Sequence, residues 1–191
     1  MAFISLSAAV LAGGKAERMS RQDKGLLLYQ NEPMALLVGR ALQQVAEFVF
    51  INANRNVEQY AELGYEVIVD NQNYQGKGPL SGLMSCLAIA TTSHLLVSPC
   101  DTPRISGAAF ARLKEASVSV PDRIHYLYGI SGAHPLHAIL PVAETRVSLK
   151  AFLNTKNRYS VMAFYDYFGC DTVMWDRPEQ LLNVNTPQDL A

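Results

Sequence analysis

Four short apolar runs in the first hundred residues, separated by stretches of helical periodicity, constrain the fold of this chain more than any other feature. Ile4 to Leu11, Phe48 to Ile51, Tyr65 to Val69 and Leu95 to Ser98 have strand length and are rich in β-branched or aromatic residues. Between them, Met34 to Ala46, Val57 to Leu63 and Leu80 to Ala90 repeat apolar residues at the spacing of one helix face. Strand, helix and strand in repetition demand crossover connections, and crossovers build a parallel sheet covered by helices on both sides. The expected fold class is α/β: a single-domain, doubly wound, mostly parallel sheet.

The second half is less regular. Ser106 to Ala116 reads as a helix that Ser106 can cap. Ile124 to Tyr128 and Leu136 to Leu140 read as two strands joined through the glycine-containing loop 129–135. Ala143 to Leu153 and Tyr159 to Phe168 are helix candidates, and Thr172 to Trp175 is expected to be an edge strand. No repeat, low-complexity tract or linker divides the chain, so residues 1–191 are expected to form one domain. With 49% hydrophobic and 17% charged residues, the 191-residue chain can bury a core without staples. A net charge of −1 excludes a broad electrostatic footprint for nucleic acid or an anionic membrane, which points to a small partner. Cys86, Cys100 and Cys170 are odd in number and lack C-x-x-C spacing. They fit a reducing compartment, and with no basic region before the first apolar run a cytoplasmic location is expected.

Each of the first four strand candidates is followed at once by a residue suited to nucleotide chemistry: Ala12-Gly13-Gly14, Asn52, Asp70 and Asp101. In an open parallel sheet the carboxyl ends of the strands share one rim, and ligands settle there. The segment from Leu11 to Lys24 turns on two glycines and carries four cations, Lys15, Arg18, Arg21 and Lys24. Its spacing matches neither a P-loop nor a G-x-G-x-x-G fingerprint. Arg18 offers a planar fork of donors and Lys24 a compact charge, together suited to a polyphosphate undergoing cleavage. Asp101, flanked by Pro99 and Pro103, is a stiff carboxylate of the kind Mg²⁺ shares with phosphate oxygens, though an Asp-Thr-Pro turn can also serve only as a cap. Asn52 and Asp70 can hydrogen-bond a nucleobase or ribose, and a carboxylate can accept the paired N1–H and N2–H donors of guanine; Asn52 can equally be a simple strand-end turn residue. His134 and His137 carry no metal reading, because strand alternation points them to opposite faces and no third ligand lies near.

The loop 11–24 resembles the signature loop of the MobA-type nucleotidyltransferases, the family of molybdenum cofactor guanylyltransferases. The likeness continues through Asn52-Ala53-Asn54, Asp70, Gly78-Pro79-Leu80-Ser81-Gly82, Pro99-Cys100-Asp101-Thr102-Pro103, His134-Pro135 and Asn183-Val184-Asn185-Thr186-Pro187, in the family's order. It departs where Ser20 stands for a usual glycine and where Arg158-Tyr159-Ser160 stands for paired arginines. The resemblance implies transfer of GMP from GTP to molybdenum-molybdopterin, with Mg²⁺ on Asp101 and no covalent nucleophile. It also implies GTP contacts from Leu11, Ala12, Gly13, Gly14, Lys24, Asn52, Asp70 and Asp101 and phosphate handling by Arg18 and Lys24, from which Arg18, Lys24 and Asp101 are the expected catalytic residues. His134, Arg158, Asn183 and Asn185 become candidates for the molybdopterin side: an arginine can fork onto phosphate, and asparagines can pair with pterin edges or cap the final turn. On this reading residues up to about 105 bind GTP and the remainder binds molybdopterin. Molybdoenzyme apoproteins or their chaperones are candidate recipients of the product. The alternatives are the same chemistry with CTP or a sugar phosphate, and a delivery adaptor that transfers nothing.

Overall fold

Seven strands form one sheet in the order β5-β4-β1-β6-β8-β7-β9. The computed structural model describes residues 3–14, 22–155 and 159–190. In chain order the sheet strands and helices begin with β1 (Leu6–Leu11), and a two-residue pair, β2 (Leu28–Tyr29) and β3 (Glu32–Pro33), forms a separate small hairpin. There follow α1 (Met34–Gln43), β4 (Phe48–Asn52), α2 (Val57–Ala61), β5 (Glu66–Ile68), α3 (Pro79–Ile89) and β6 (His94–Pro99). The second half supplies α4 (Gly107–Ser119), β7 (Ile124–Gly129), β8 (Gly132–Pro141), α5 (Val142–Thr155), α6 (Val161–Phe168) and β9 (Cys170–Met174).

The expected parallel sheet is present. β1 lies between β4 and β6, β4 pairs with β5, and β7 pairs with β9, all parallel; only β8 runs antiparallel to its neighbours β6 and β7. Strand alternation explains why the early strands read as unbroken apolar runs. Leu6, Ala8 and Val10 of β1 enter a core with Val38 and Leu42 of α1 and Phe110 of α4, whereas Ala9 faces the opposite core with Leu83, Leu87, Phe152 and Phe164. A strand buried on both faces has no solvent face to mark with polar residues. α3 likewise buries every residue from Leu80 to Leu87, because it is packed between the sheet and α5.

Several local expectations are corrected. Ser106 occupies the position before α4, but its hydroxyl donates to Gln180 Oε1 at 2.7 Å and caps no helix amide. α6 is capped instead by Ser160, whose Oγ accepts from the Ala163 amide at 2.9 Å, so the helix starts at Val161. The β2–β3 hairpin went unseen in the sequence; Gln30 and Asn31 make its turn with φ of 50° and 66°, a conformation that two-residue hairpins require. The β7–β8 ladder shifts register between Tyr126 and Leu127, pairing Tyr126 with Ala138 but Leu127 with His134. That bulge cancels the alternation argument for His134 and His137: their ring centroids are 6.2 Å apart.

Candidate active site

At the carboxyl rim of the parallel strands the ladder continues one residue past the sheet. Ala12 N donates to Asn52 O at 2.8 Å, Cys100 N to Leu11 O at 3.1 Å and Ala53 N to Ile68 O at 3.0 Å. The ends of β1, β4, β5 and β6 are thereby held in one row. Above them opens a cleft of about 640 Å³ whose walls include Leu11, Ala12, Gly13, Gly14, Lys24, Asn52, Asp70 and Asp101. The structure therefore brings together eight residues that the sequence singled out, seven of them at or just past four separate strand ends and the eighth, Lys24, further along the chain after β1. Gln75, Gly76 and Gly78 on the approach to α3, Pro79, Ser81 and Gly82 at its start, and Leu136 from β8 add to the wall. Arg18 and Arg158 lie outside the described residues.

One end of the cleft is a preformed amide and carboxylate network. Asn52, 2% exposed, donates through Nδ2 to Ile68 O at 3.1 Å and to Asp70 Oδ1 at 2.9 Å. Asn54 donates to Asp70 Oδ2 at 3.0 Å and accepts from the Asp70 amide at 2.8 Å. From the described residues each carboxylate oxygen of Asp70 thus accepts one side-chain hydrogen bond, and each has a further lone pair that a ligand can use. The sequence alone assigns Asn54 no role; its value appears only when β4 and β5 stand side by side. Gly82 is required here by space, since a Cβ on it would lie 2.5 Å from Asn52 Oδ1. At Gly78 the requirement is conformational, for φ is +62° immediately before Pro79 opens α3.

The other end carries opposite charges. Lys24 Nζ lies 3.6 Å from Asp101 Oδ2 and donates to Asn185 Oδ1 at 3.0 Å, with the two charged side chains 25% and 19% exposed. Burial pushes the Asp101 carboxyl above its ordinary range, and the nearby Lys24 ammonium only partly opposes this. Asp23 does not orient Lys24 through its carboxylate. That buried group accepts from Tyr60 Oη and from Asn56 Nδ2, tying the segment before Lys24 to α2. Val184 N donates to Asp101 O at 2.7 Å, so the 183–185 segment runs along the Asp101 turn. Asn185 consequently meets the Lys24 end of the cleft, and the last turn is closed by Asp189, whose Oδ2 accepts from the Asn185 and Thr186 amides. Asn183 is exposed.

His134 sits outside the cleft wall, with Nε2 3.0 Å from Ser131 Oγ within the β7–β8 turn. His137 is buried beneath the Asp101 turn, its ring nitrogens 3.0 Å from Ser98 Oγ and 3.5 Å from Thr102 Oγ1. Burial pushes its pKa down to about 3, so it is a neutral, hydrogen-bonded core residue. Among the described residues no group of three or more His, Cys, Asp or Glu side chains is arranged to hold a metal ion. A cation here would need ligand oxygens beside Asp101, which a bound triphosphate supplies.

Residues 8–168 match the model of the MobA-like NTP transferase domain. The chain belongs to the MobA-like NTP transferase family. Among curated relatives of this MobA-like chain, the molybdenum cofactor guanylyltransferase of Shewanella sediminis is 35% identical over 188 residues, covering 97% of this chain and 93% of that protein. The protein of the same name from Polynucleobacter asymbioticus is 33% identical over 190 residues, covering 97% and 94%. The molybdopterin-guanine dinucleotide biosynthesis protein A of Archaeoglobus fulgidus superposes with a TM-score of 0.72 at 17% identity, covering 96% of this chain and 94% of that one. The last of these speaks for the fold alone. Nucleotidyl transfer is the chemistry of the family.

Proposed function

We propose that this protein transfers GMP from GTP to the terminal phosphate of molybdenum-molybdopterin, giving the guanine dinucleotide cofactor and pyrophosphate. The observation that carries the reading is the meeting of Asn52, Asp70, Lys24 and Asp101 in one cleft, in a chain one-third identical over nearly its full length to proteins named for that reaction. Asp70, braced by two asparagine amides, presents free lone pairs that match the N1–H and N2–H donors of guanine. The backbone of Leu11, Ala12, Gly13 and Gly14 lies against the nucleotide. A phosphate oxygen of the acceptor attacks the α-phosphorus, and the bond to the bridging oxygen breaks with its electron pair leaving on pyrophosphate. No proton need move if the acceptor phosphate is dianionic. Lys24 and Arg18 neutralise the departing charge, while positioning supplies the rest of the catalysis.

Asp101 fits a divalent ion. It is a hard oxygen donor held in a partly desolvated site with an incompletely balanced charge. When bound there, Mg²⁺ would polarise the α-phosphate. His134, Arg158, Asn183 and Asn185 are proposed for the acceptor, with Asn185 also steadying Lys24. Residues up to about 105 would then hold the nucleotide and the later ones the pterin. Among the described residues no helix is long and apolar enough to cross a membrane, in keeping with a proposed cytoplasmic location.

The test is turnover with purified molybdenum-loaded molybdopterin and Mg²⁺, comparing GTP, ATP and CTP and measuring both pyrophosphate and dinucleotide. GTP-dependent product is expected. Preference for CTP would overturn the assignment of the base. Full cofactor delivery by Asp101→Ala would make the chain an adaptor and not a transferase.

A further inference from the structure

Beside the cleft, though not among the residues that line it, stands a second cation whose surroundings the donor nucleotide does not explain. Lys77 stands between two residues of the cleft wall, Gly76 and Gly78, both with left-handed φ (+79° and +62°). Its amide donates to Ser81 Oγ at 3.0 Å, which anchors the loop. Its ammonium reaches across 82 positions of sequence to donate to Tyr159 Oη at 2.8 Å, and lies 4.3 Å from the centre of that ring. Tyr159 in turn packs on the core that also receives Leu11 and Leu136, two other residues of the cleft wall.

Three facts about this pair matter chemically. Among the described residues no carboxylate lies within salt-bridge distance of Lys77. An ammonium has three donors and Tyr159 takes one of them. Because Tyr159 Oη accepts from Lys77, its own O–H is left to donate elsewhere. The pair therefore offers two N–H donors, one O–H donor and a unit charge, which is the complement of a phosphate monoester. Lys24 cannot serve the same end, since it is already shared between Asp101 and Asn185 at the other side of the cleft.

We infer that Lys77 and Tyr159 form the subsite for the phosphate monoester of the acceptor, holding the attacking phosphate against the repulsion of the triphosphate. This deepens the proposed transferase reading and rests on it for the identity of the acceptor; the recognition of a phosphate monoester is separately measurable.

The experiment uses the full chain and two probes, a fluorescent pterin bearing a phosphomethyl group and the corresponding hydroxymethyl pterin. The native protein is expected to bind the phosphorylated probe about ten-fold more tightly. Lys77→Met should abolish that discrimination, Lys77→Arg should largely restore it, and Tyr159→Phe, which keeps the ring but loses the donor, should weaken it several-fold. GTP affinity, measured alone by calorimetry, should be unchanged in all three. Equal binding of the two probes by the native protein, or discrimination that survives Lys77→Met, overturns the subsite. So does a loss confined to GTP affinity, which would place Lys77 on the donor. Absence of GTP turnover with intact probe discrimination would instead count against the transferase reading and leave the phosphate subsite standing.

Discussion

Replacing Gly82 by alanine tests whether the amide network at the base end of the cleft is as tightly set as its geometry indicates. The new Cβ would stand 2.5 Å from Asn52 Oδ1, where ordinary contacts begin at 3.4 Å. Asn52 cannot yield without separating Nδ2 from Ile68 O or Asp70 Oδ1, now 3.1 and 2.9 Å away. Losing these two bonds costs about 1 kcal/mol each, and a buried amide left without a partner costs about 1–3 kcal/mol. Against that, alanine inside α3 contributes roughly 1 kcal/mol over glycine. A net destabilisation of about 2–4 kcal/mol in urea is expected, with GTP affinity down about ten-fold or more as Asp70 loses its brace. The decisive comparison is a double-mutant cycle with Asn52→Ala. Once the Asn52 amide is gone, adding Gly82→Ala should stabilise the protein by up to ~1 kcal/mol, a reversal of sign from the native background. If Gly82→Ala costs the same in both backgrounds, the close approach to Asn52 is not what demands glycine and the reasoning fails.

Two further outcomes concern protonation. The Asp101 carboxyl is raised by burial, so the folded state binds its proton more readily than the unfolded chain does. Its contribution is most favourable below the ordinary carboxylate range and is lost as pH rises through its own elevated value. Without divalent metal, Asp101→Asn should therefore denature at a higher temperature than the native protein at pH 8. The gap should close as the pH is lowered past 4, while turnover falls by at least about a thousand-fold at all pH values; an unchanged gap would contradict the assignment. His137 has the opposite sign. Burial pushes its pKa down to about 3, so only the unfolded chain takes up this proton below its usual value near 6.5. Stability present above that pH is lost as pH falls, about 2 kcal/mol of it by pH 5. Urea titrations at pH 7 and 5 should show that His137→Asn removes this part of the slope, and an identical slope in both proteins would refute it.

The rim of the sheet was readable because parallel strands covered on both faces leave long apolar runs, and the residue that ends each run must sit at the common edge. Leu11, Asn52, Asp70 and Asp101 needed no knowledge of side-chain contacts to be placed together. What escaped notice depended on partners distant in sequence. Asn54 matters because β5 brings Asp70 beside it, and Asn185 belongs to the Lys24 end because Val184 hydrogen-bonds across to Asp101. The bulge opposite Tyr126 defeats any period-two argument about His134 and His137, since a register shift carries no local signature beyond Pro135. β2 and β3 are two residues each, too short to show a period, and their turn uses Gln30 and Asn31 where a glycine would have signalled it.

The clasp of residues 184 and 185 on Asp101 and Lys24 bears on how the protein is made. A ribosome releases the pieces of the phosphate end more than 80 residues before the strand of chain that latches them, while β1, β4, β5 and β6 can already be pairing. A nascent or prematurely stopped chain would own a respectable sheet and an unlatched mouth. Competence to act on nucleotide would then arrive late in synthesis, after the body of the molecule has taken shape.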